Sequence, residues 1–370
     1  MDNQPVPVSI ITGFLGSGKT TLLNRLLQSP GLDNSLVIIN EFGEIGIDHL
    51  LVSVPSENMR LLSNGCLCCE VRGDLVETLA DAAQQRRNGT IPAFDRVIVE
   101  TTGLADPVPL VQTVVTDRDV APSYRLDSII TLVDTVNAQV QLDRQPESIK
   151  QVAVSDLLLL SKTDIAGEAM IAAVQDRVRA INPSVDVIRV MHGEIDPLLL
   201  FGRGTVGYGA TSVQLERWLG RSSVSACEHD IHGRCDNGSH DHASSRHDDS
   251  VETFSIVLDQ PATRSALTVW LTMLASFRGA NLLRVKGIVN VENQPVVINA
   301  VQSVLHEPIE LKQWPSEDRR SRIVFIVRDM AREELERTVD ALLVPETLVS
   351  GAELDPQAYA QFLQMAKTFM

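Results

Sequence analysis

The chain has 370 residues, 44% of them hydrophobic, and a formal net charge of -16. That is enough apolar material for two packed domains, and the negative charge repels phosphate backbones, which argues against nucleic acid as a partner. No apolar run approaches the ~20 residues that a membrane span requires, and Met1–Pro5 carries no basic leader, so a cytoplasmic protein without membrane contact is expected.

The first predicted strand, Val8–Ile11, runs into Gly13-Phe14-Leu15-Gly16-Ser17-Gly18-Lys19-Thr20, a full match to G-x-x-x-x-G-K-[ST], and a helix is predicted over Thr21–Leu27. Strand, glycine loop and helix in that order make a phosphate cradle. Gly13, Gly16 and Gly18 let backbone N–H groups turn inward beside Ser17, and the helix N-terminus at Thr20 and Thr21 adds partial positive charge. Lys19 then neutralises the outer phosphates and the Thr20 hydroxyl is suited to Mg²⁺.

A second strand, Leu36–Ile39, leads into Asn40-Glu41-Phe42-Gly43-Glu44-Ile45-Gly46-Ile47-Asp48. Its glycines provide hinges and its carboxylates hard ligands, so it reads as a switch loop with Glu44 and Asp48 as metal-ligand candidates. Gly65-Cys66-Leu67-Cys68-Cys69 follows. Cys66, Cys68 and Cys69 can converge on one soft ion at about 2.3 Å each, which suits Zn²⁺ or Cu⁺ and tolerates Co²⁺. The paired C-x-x-C spacing of a structural zinc site is missing, so an open, exchanging site is expected.

A helix over 71–87 and a strand over Arg96–Val99 bring the chain to Glu100-Thr101-Thr102-Gly103, an acid-x-x-Gly element. Its Glu100 carboxylate can join the Mg²⁺ shell and its Gly103 N–H can sense a γ-phosphate. Strands over Ser128–Val133 and Asp156–Leu160 precede Ser161-Lys162-Thr163-Asp164, which is similar to the N-K-x-D guanine signature. Asp164 can accept the ring N–H and the exocyclic amine of guanine and would be mispaired against adenine, so GTP is favoured over ATP. Ser161 stands where the signature has Asn and lacks the amide that helps hold base and loops, which predicts modest affinity. A helix over 166–181 and a strand over Val185–Ile188 complete a doubly wound α/β domain, assigned to residues 1–221.

Residues 222–250 change to Ser, Asp, His, Gly and Asn and are read as a linker. Cys227 and Cys235 lie here with His229, His232, His240, His242 and His247, five of the chain's eight histidines. Imidazoles of this density can act as a low-affinity metal reservoir. His49, His192 and His306 are isolated and read as ordinary structural residues. Alternation returns at Val251–Val257, followed by a helix over about 263–277, strands over 282–291, 295–300 and 322–328 and a helix over 331–343. This is a small α+β domain, assigned to 251–345, with a helical tail over 346–370.

The order of phosphate loop, N-E-F-G-E…I-D loop, G-C-x-C-C, E-T-T-G-L-A-D-P (Glu100–Pro107) and S-K-T-D resembles the CobW family, within the metal-insertion GTPases that include HypB and UreG. The resemblance continues through Leu283-Arg284-Val285-Lys286-Gly287 and Trp314-Pro315 to Arg320–Phe325. It implies GTP hydrolysis coupled to delivery of a metal to a client metalloprotein, and leaves the metal open among zinc, cobalt and others; Zn²⁺ is the expected cargo, and with no assignable arginine finger or catalytic glutamine slow intrinsic turnover is expected. A nucleotide-dependent homodimer is compatible with it. A cobalt-handling helper of cobalamin synthesis and a non-delivering zinc storage or regulatory protein are the alternatives.

Overall fold

The computed structural model describes residues 4–29, 32, 34–39, 59–61, 69–204, 215, 218, 219, 251–278 and 281–343. The chain divides into two compact units, Met1–Ser225 and Ala226–Met370.

In the first unit the order is β1 (Val6–Gly13), α1 (Lys19–Leu27), β2 (Ser35–Ile39), β3 (Met59–Leu61), α2 (Cys69–Asn88), β4 (Arg96–Glu100), α3 (Val108–Thr116), β5 (Tyr124–Asp134), α4 (Ala138–Arg144), α5 (Pro146–Val154), β6 (Leu157–Ser161), α6 (Glu168–Ile181) and β7 (Asp186–Arg189). The strands form one seven-stranded sheet in the order β3-β2-β4-β1-β5-β6-β7, and every pairing is parallel. Helices on both faces explain why β6 reads Leu157-Leu158-Leu159-Leu160 without alternation, each leucine being fully buried. On one face Leu22, Leu23 and Leu26 of α1 join a core with Ile11, Ile98, Ile130 and Leu159. The chain turns to one side of β1 for β2 to β4 and to the other for β5 to β7. The C-terminal end of β1 therefore opens into the crevice where such sheets bind ligands.

Four elements of this unit are not evident in the sequence pattern. β3 has three residues, too few to show a period. α3 reads Val-Pro-Leu-Val-Gln-Thr-Val-Val-Thr, a β-branched run that resembles a strand. It becomes a helix because Pro109 sits in its first turn and the Asp106 carboxylate accepts the Val108 N–H at 3.0 Å, while Val111 and Val114 are buried. α4 and α5 are short, and α5 starts on Pro146.

At the opposite, N-terminal edge of the sheet the buried Asp127 of β5 gathers a seam. Its carboxylate accepts the Ser9 hydroxyl at 3.1 Å, the Arg96 guanidinium at 3.2 Å and the Gly202 N–H at 3.0 Å. Its carbonyl accepts the Gly204 N–H at 2.8 Å, and the Arg203 N–H donates to Ser128 Oγ at 3.0 Å. Arg96 also lies over the Phe201 ring at 3.8 Å.

The second unit comprises β8 (Val251–Leu258), α7 (Arg264–Arg278), β9 (Leu282–Val291), β10 (Gln294–Val301), β11 (Val304–Leu305), β12 (Ile309–Glu310), β13 (Ser321–Arg328) and α8 (Arg332–Val339). Its antiparallel sheet has the order β11-β10-β9-β13-β8, with β12 beside β10. Trp270 of α7 meets Phe325 of β13 edge to face at 6.2 Å in the core beneath the helices. The predicted last helix ends at Val339, and Asp340–Leu343 tighten into a 3-10 turn. Among the described residues no helix is long and apolar enough to cross a membrane.

Candidate functional site

The loop after β1 needs backbone conformations that side chains resist. Gly13, Gly16 and Gly18 have φ of +138°, +73° and +96°, and a Cβ on Gly13 would lie 2.3 Å from the Leu132 carbonyl oxygen. Gly18 is the N-cap of α1 and no side chain caps it, so the first-turn N–H groups face the loop's concavity. The buried Lys19 ammonium donates to the carbonyls of Gly13 at 2.9 Å and Phe14 at 3.4 Å. Ser17 Oγ is buried without a hydrogen-bond partner among the described residues, which fits a site that a polar ligand completes.

β4 delivers the acidic element to the same edge. The Thr20 hydroxyl donates to Glu100 Oε1 at 3.3 Å, so the two Mg²⁺ candidates meet. These hard oxygen donors, beside Lys19 and with Glu100 buried, fit a divalent cation next to a phosphate. Thr101 locks the strand end to β1 through the Ile11 carbonyl and Thr12 Oγ1, each at 2.9 Å. Gly103 then packs on the phosphate loop so closely that a Cβ would sit 2.5 Å from the Leu15 nitrogen.

α5 holds this second loop from behind. The buried Gln151 amide donates to the carbonyls of Gly103 at 3.3 Å and Ala105 at 3.1 Å, and Lys150 pairs with Asp106 at 2.5 Å. Neither residue stands out in the sequence, because Gln151 and Lys150 belong to no recognisable spacing and act through contacts more than 40 positions away.

β6 brings in the guanine signature. Ser161, expected to be a weakened substitute for Asn, donates its hydroxyl to the Ser17 carbonyl at 2.6 Å and so performs the loop-holding task itself. That corrects the expectation that the loop contact is lost with the amide. Lys162, at φ +57°, pairs with Asp134 at 2.7 Å. Asp134 also accepts the N–H groups of Val136 and Asn137 and the Asn137 side-chain amide. Burial alone would raise its pKa, but the hydrogen bonds from Lys162 and Asn137 and the Lys162 charge together hold it below the usual carboxylate value. Asp134 and Asn137 are further functional candidates. Their signal is an Asx-turn, D-x-x-N, at a strand end.

Asp164 is a quarter exposed, with His192 Nε2 3.7 Å from its Oδ2. His192 is therefore not an isolated structural residue. The chain segment after β7 carries it to Asp164, the candidate guanine-reading carboxylate.

The metal-ligand candidates Glu44, Asp48, Cys66 and Cys68, and the reservoir residues His229, His232, His240, His242 and His247, lie outside the described residues. Cys69 is the first residue of α2, and β3, parallel to β2, ends at Leu61 on the edge that carries the phosphate loop. Among the described residues no three His, Cys, Asp or Glu side chains gather into a metal-binding group.

Both units of the chain are similar to known proteins. Residues 7–189 match the family described as CobW/HypB/UreG, nucleotide-binding domain, and residues 251–343 match the cobalamin synthesis protein cobW C-terminal domain. The zinc chaperone YjiA of Escherichia coli is 32% identical over 334 residues, 90% of this chain and 97% of that one. The zinc-regulated GTPase metalloprotein activator 1 of Schizosaccharomyces pombe is 33% identical over 202 residues, 53% of this chain and 48% of that one. In structure, the chain is similar to the Zn(II)-bound YjiA GTPase from E. coli, with a TM-score of 0.65 at 28% identity, covering 92% of this chain and 99% of that one.

Proposed function

The chain belongs to the CobW/HypB/UreG family of P-loop GTPases, and from that premise we propose that it is a cytoplasmic zinc chaperone that couples GTP hydrolysis to metal delivery to a client metalloprotein. The observation that carries this reading is the convergence at one sheet edge of Lys19, the Thr20–Glu100 pair, Gly103 packed on Leu15, and Ser161 with Asp164. The strand and helix that flank the cysteine motif end and begin there too. The relatives named as zinc chaperones support zinc as cargo.

In this reading Asp164 accepts the guanine N–H groups, the loop N–H groups and Lys19 hold the phosphates, and the Gly103 N–H turns to the γ-phosphate as GTP is cleaved by water into GDP and phosphate. Thr20 and Glu100 would hold Mg²⁺, which when bound supplies charge neutralisation between the outer phosphates. No side chain among the described residues is placed as an arginine finger or water-positioning glutamine, so slow intrinsic turnover is expected until a client or metal completes the site. Cys66, Cys68 and Cys69 carry the zinc, with Glu44 or Asp48 drawn in by the switch loop.

The test is competitive metal titration of the full chain in its GTP-analogue and GDP forms. A zinc affinity that differs by about 1–3 kcal/mol between them is expected for such a switch, and equal affinity removes the coupling. Running the same titration with Co²⁺ identifies the cargo. Ser at Cys66, Cys68 and Cys69 together should abolish tight zinc binding and leave guanine nucleotide binding intact. A second copy docking across the nucleotide would appear as GTP-dependent dimerisation in the same samples.

A further inference from the structure

The base-reading carboxylate has a neighbour that no motif describes. Met191 and Glu194 form an antiparallel bridge closed by the Glu194 N–H on the Met191 carbonyl at 2.9 Å. Between them His192 and Gly193 have φ of +52° and +75°. Two consecutive positive φ values mark a type I′ turn, the kind that closes two-residue hairpins. The turn is seated on the first residues of α1, where a Cβ on Gly193 would lie 3.0 Å from the Thr21 carbonyl oxygen and 3.1 Å from Leu22. It is anchored on its other side by the Thr163 hydroxyl, which donates to the Val190 carbonyl at 3.4 Å. The turn is thus held between the cradle helix and the guanine signature, with the His192 imidazole beside Asp164.

We propose that His192 is a specificity-determining residue for the nucleotide, donating from Nε2 to O6 of guanine while Asp164 accepts the adjacent N1–H and amine. This rests on the reading that Asp164 seats guanine. Along one edge guanine presents an acceptor, a ring donor and an amine donor in a row. A carboxylate complements the two donors and leaves the acceptor needing an N–H beside it. The Nε2 to Oδ2 separation of 3.7 Å is too long for a hydrogen bond between the two side chains and matches two groups reading neighbouring positions on one base. A neutral imidazole that carries its proton on Nε2 is a donor there, the form that O6 of guanine requires. His192 is 70% exposed, which leaves its polar edge open to an incoming base. Adenine would set its amine against the His192 donor and its bare ring nitrogen against the Asp164 carboxylate, so the pair rejects it at both positions.

The test uses calorimetric titration of the full chain with GDP, 6-thio-GDP, IDP and ADP. His192→Gly removes the imidazole and keeps the positive φ that the turn requires, and His192→Gln returns an N–H donor. The wild type should prefer GDP to 6-thio-GDP, whose sulfur is a poor acceptor, by about tenfold. In His192→Gly that preference should fall below about threefold while the preference for GDP over IDP, which reads the Asp164 side, stays unchanged, and His192→Gln should recover most of it. A wild type that does not distinguish GDP from 6-thio-GDP overturns the proposal, as does a His192→Gly variant that keeps the wild-type ratio or weakens all four nucleotides equally. A wild type that binds ADP as tightly as GDP overturns the guanine reading itself, a separate failure.

Discussion

The hydroxyl of Ser161 and the carbonyl of Ser17 meet at 2.6 Å across 144 positions of chain, tying the strand that leads into Ser161-Lys162-Thr163-Asp164 to the phosphate loop. Both residues are buried, and the contact links two halves of the nucleotide site before any ligand arrives. Ser161→Ala leaves the Ser17 carbonyl with one partner fewer in a dry position, a loss of about 1–3 kcal/mol. We expect a lower unfolding midpoint and weaker binding of GDP and GTP alike, measured by calorimetry. An unchanged GDP affinity would show that the brace is incidental.

Gly103 is constrained by space. An added methyl must displace either its own loop or the Leu15 backbone 2.5 Å away, and overpacking of this kind costs about 1–3 kcal/mol. Gly103→Ala should therefore slow GTP turnover by at least about fivefold, with a smaller effect on GDP binding, as follows from the proposal that its N–H turns to the outer phosphate. Steady-state phosphate release and GDP titration separate the two effects. Equal losses in both would place Gly103 in general folding instead.

The Asp134–Lys162 pair has an acid signature. Its folded pKa is depressed, so its contribution to stability is complete above the ordinary carboxylate value of about 4 and is lost as pH falls through the lower folded value. Asp134→Asn removes this term. Compared with the wild type, the variant should be less stable near neutrality and lose less stability per pH step below about pH 4. Denaturant titrations at several pH values would show parallel curves if the pair contributes nothing.

Deleting 227–249 separates a reservoir from a tether. Histidines gathered around an ion lose conformational freedom each time, so their sites are weaker and less selective than thiolate sites. Zinc stoichiometry should drop while the tightest site and GTP turnover stay, and the zinc lost should be the fraction that the wild type releases as pH falls through about 6.5. Full stoichiometry in the deletion variant would leave the segment a plain linker.

The phosphate cradle is legible in the sequence because everything it needs lies within eight consecutive residues, and its glycines are there for the backbone angles they adopt. The parallel sheet is legible for a similar reason: strands buried on both faces, such as Leu157–Leu160, carry continuous apolar runs. Gln151, the pairing of Asp134 with Lys162 and the place of His192 are not legible. Each acts through a partner at least 28 positions away, and only the fold brings them together. The α3 helix is hidden by its own valines, whose strand preference is overruled by Pro109 and by burial against the sheet. The Ser161 substitution misleads by type, since a hydroxyl at that place reaches the carbonyl that an amide would be expected to hold.

The seam at Asp127 bears on how the chain carries load. Gly202, Arg203 and Gly204 are fastened to the sheet's N-terminal edge, opposite the phosphate loop, and they are the last continuous stretch of the first unit described before the histidine-rich region. Load that reaches this stretch would be borne by the Asp127 hydrogen bonds and the Arg96–Phe201 contact, at the end of β1 and β5 away from the phosphate loop. The seam thus gives the first unit a second fastening point, remote from the loop that cradles phosphate.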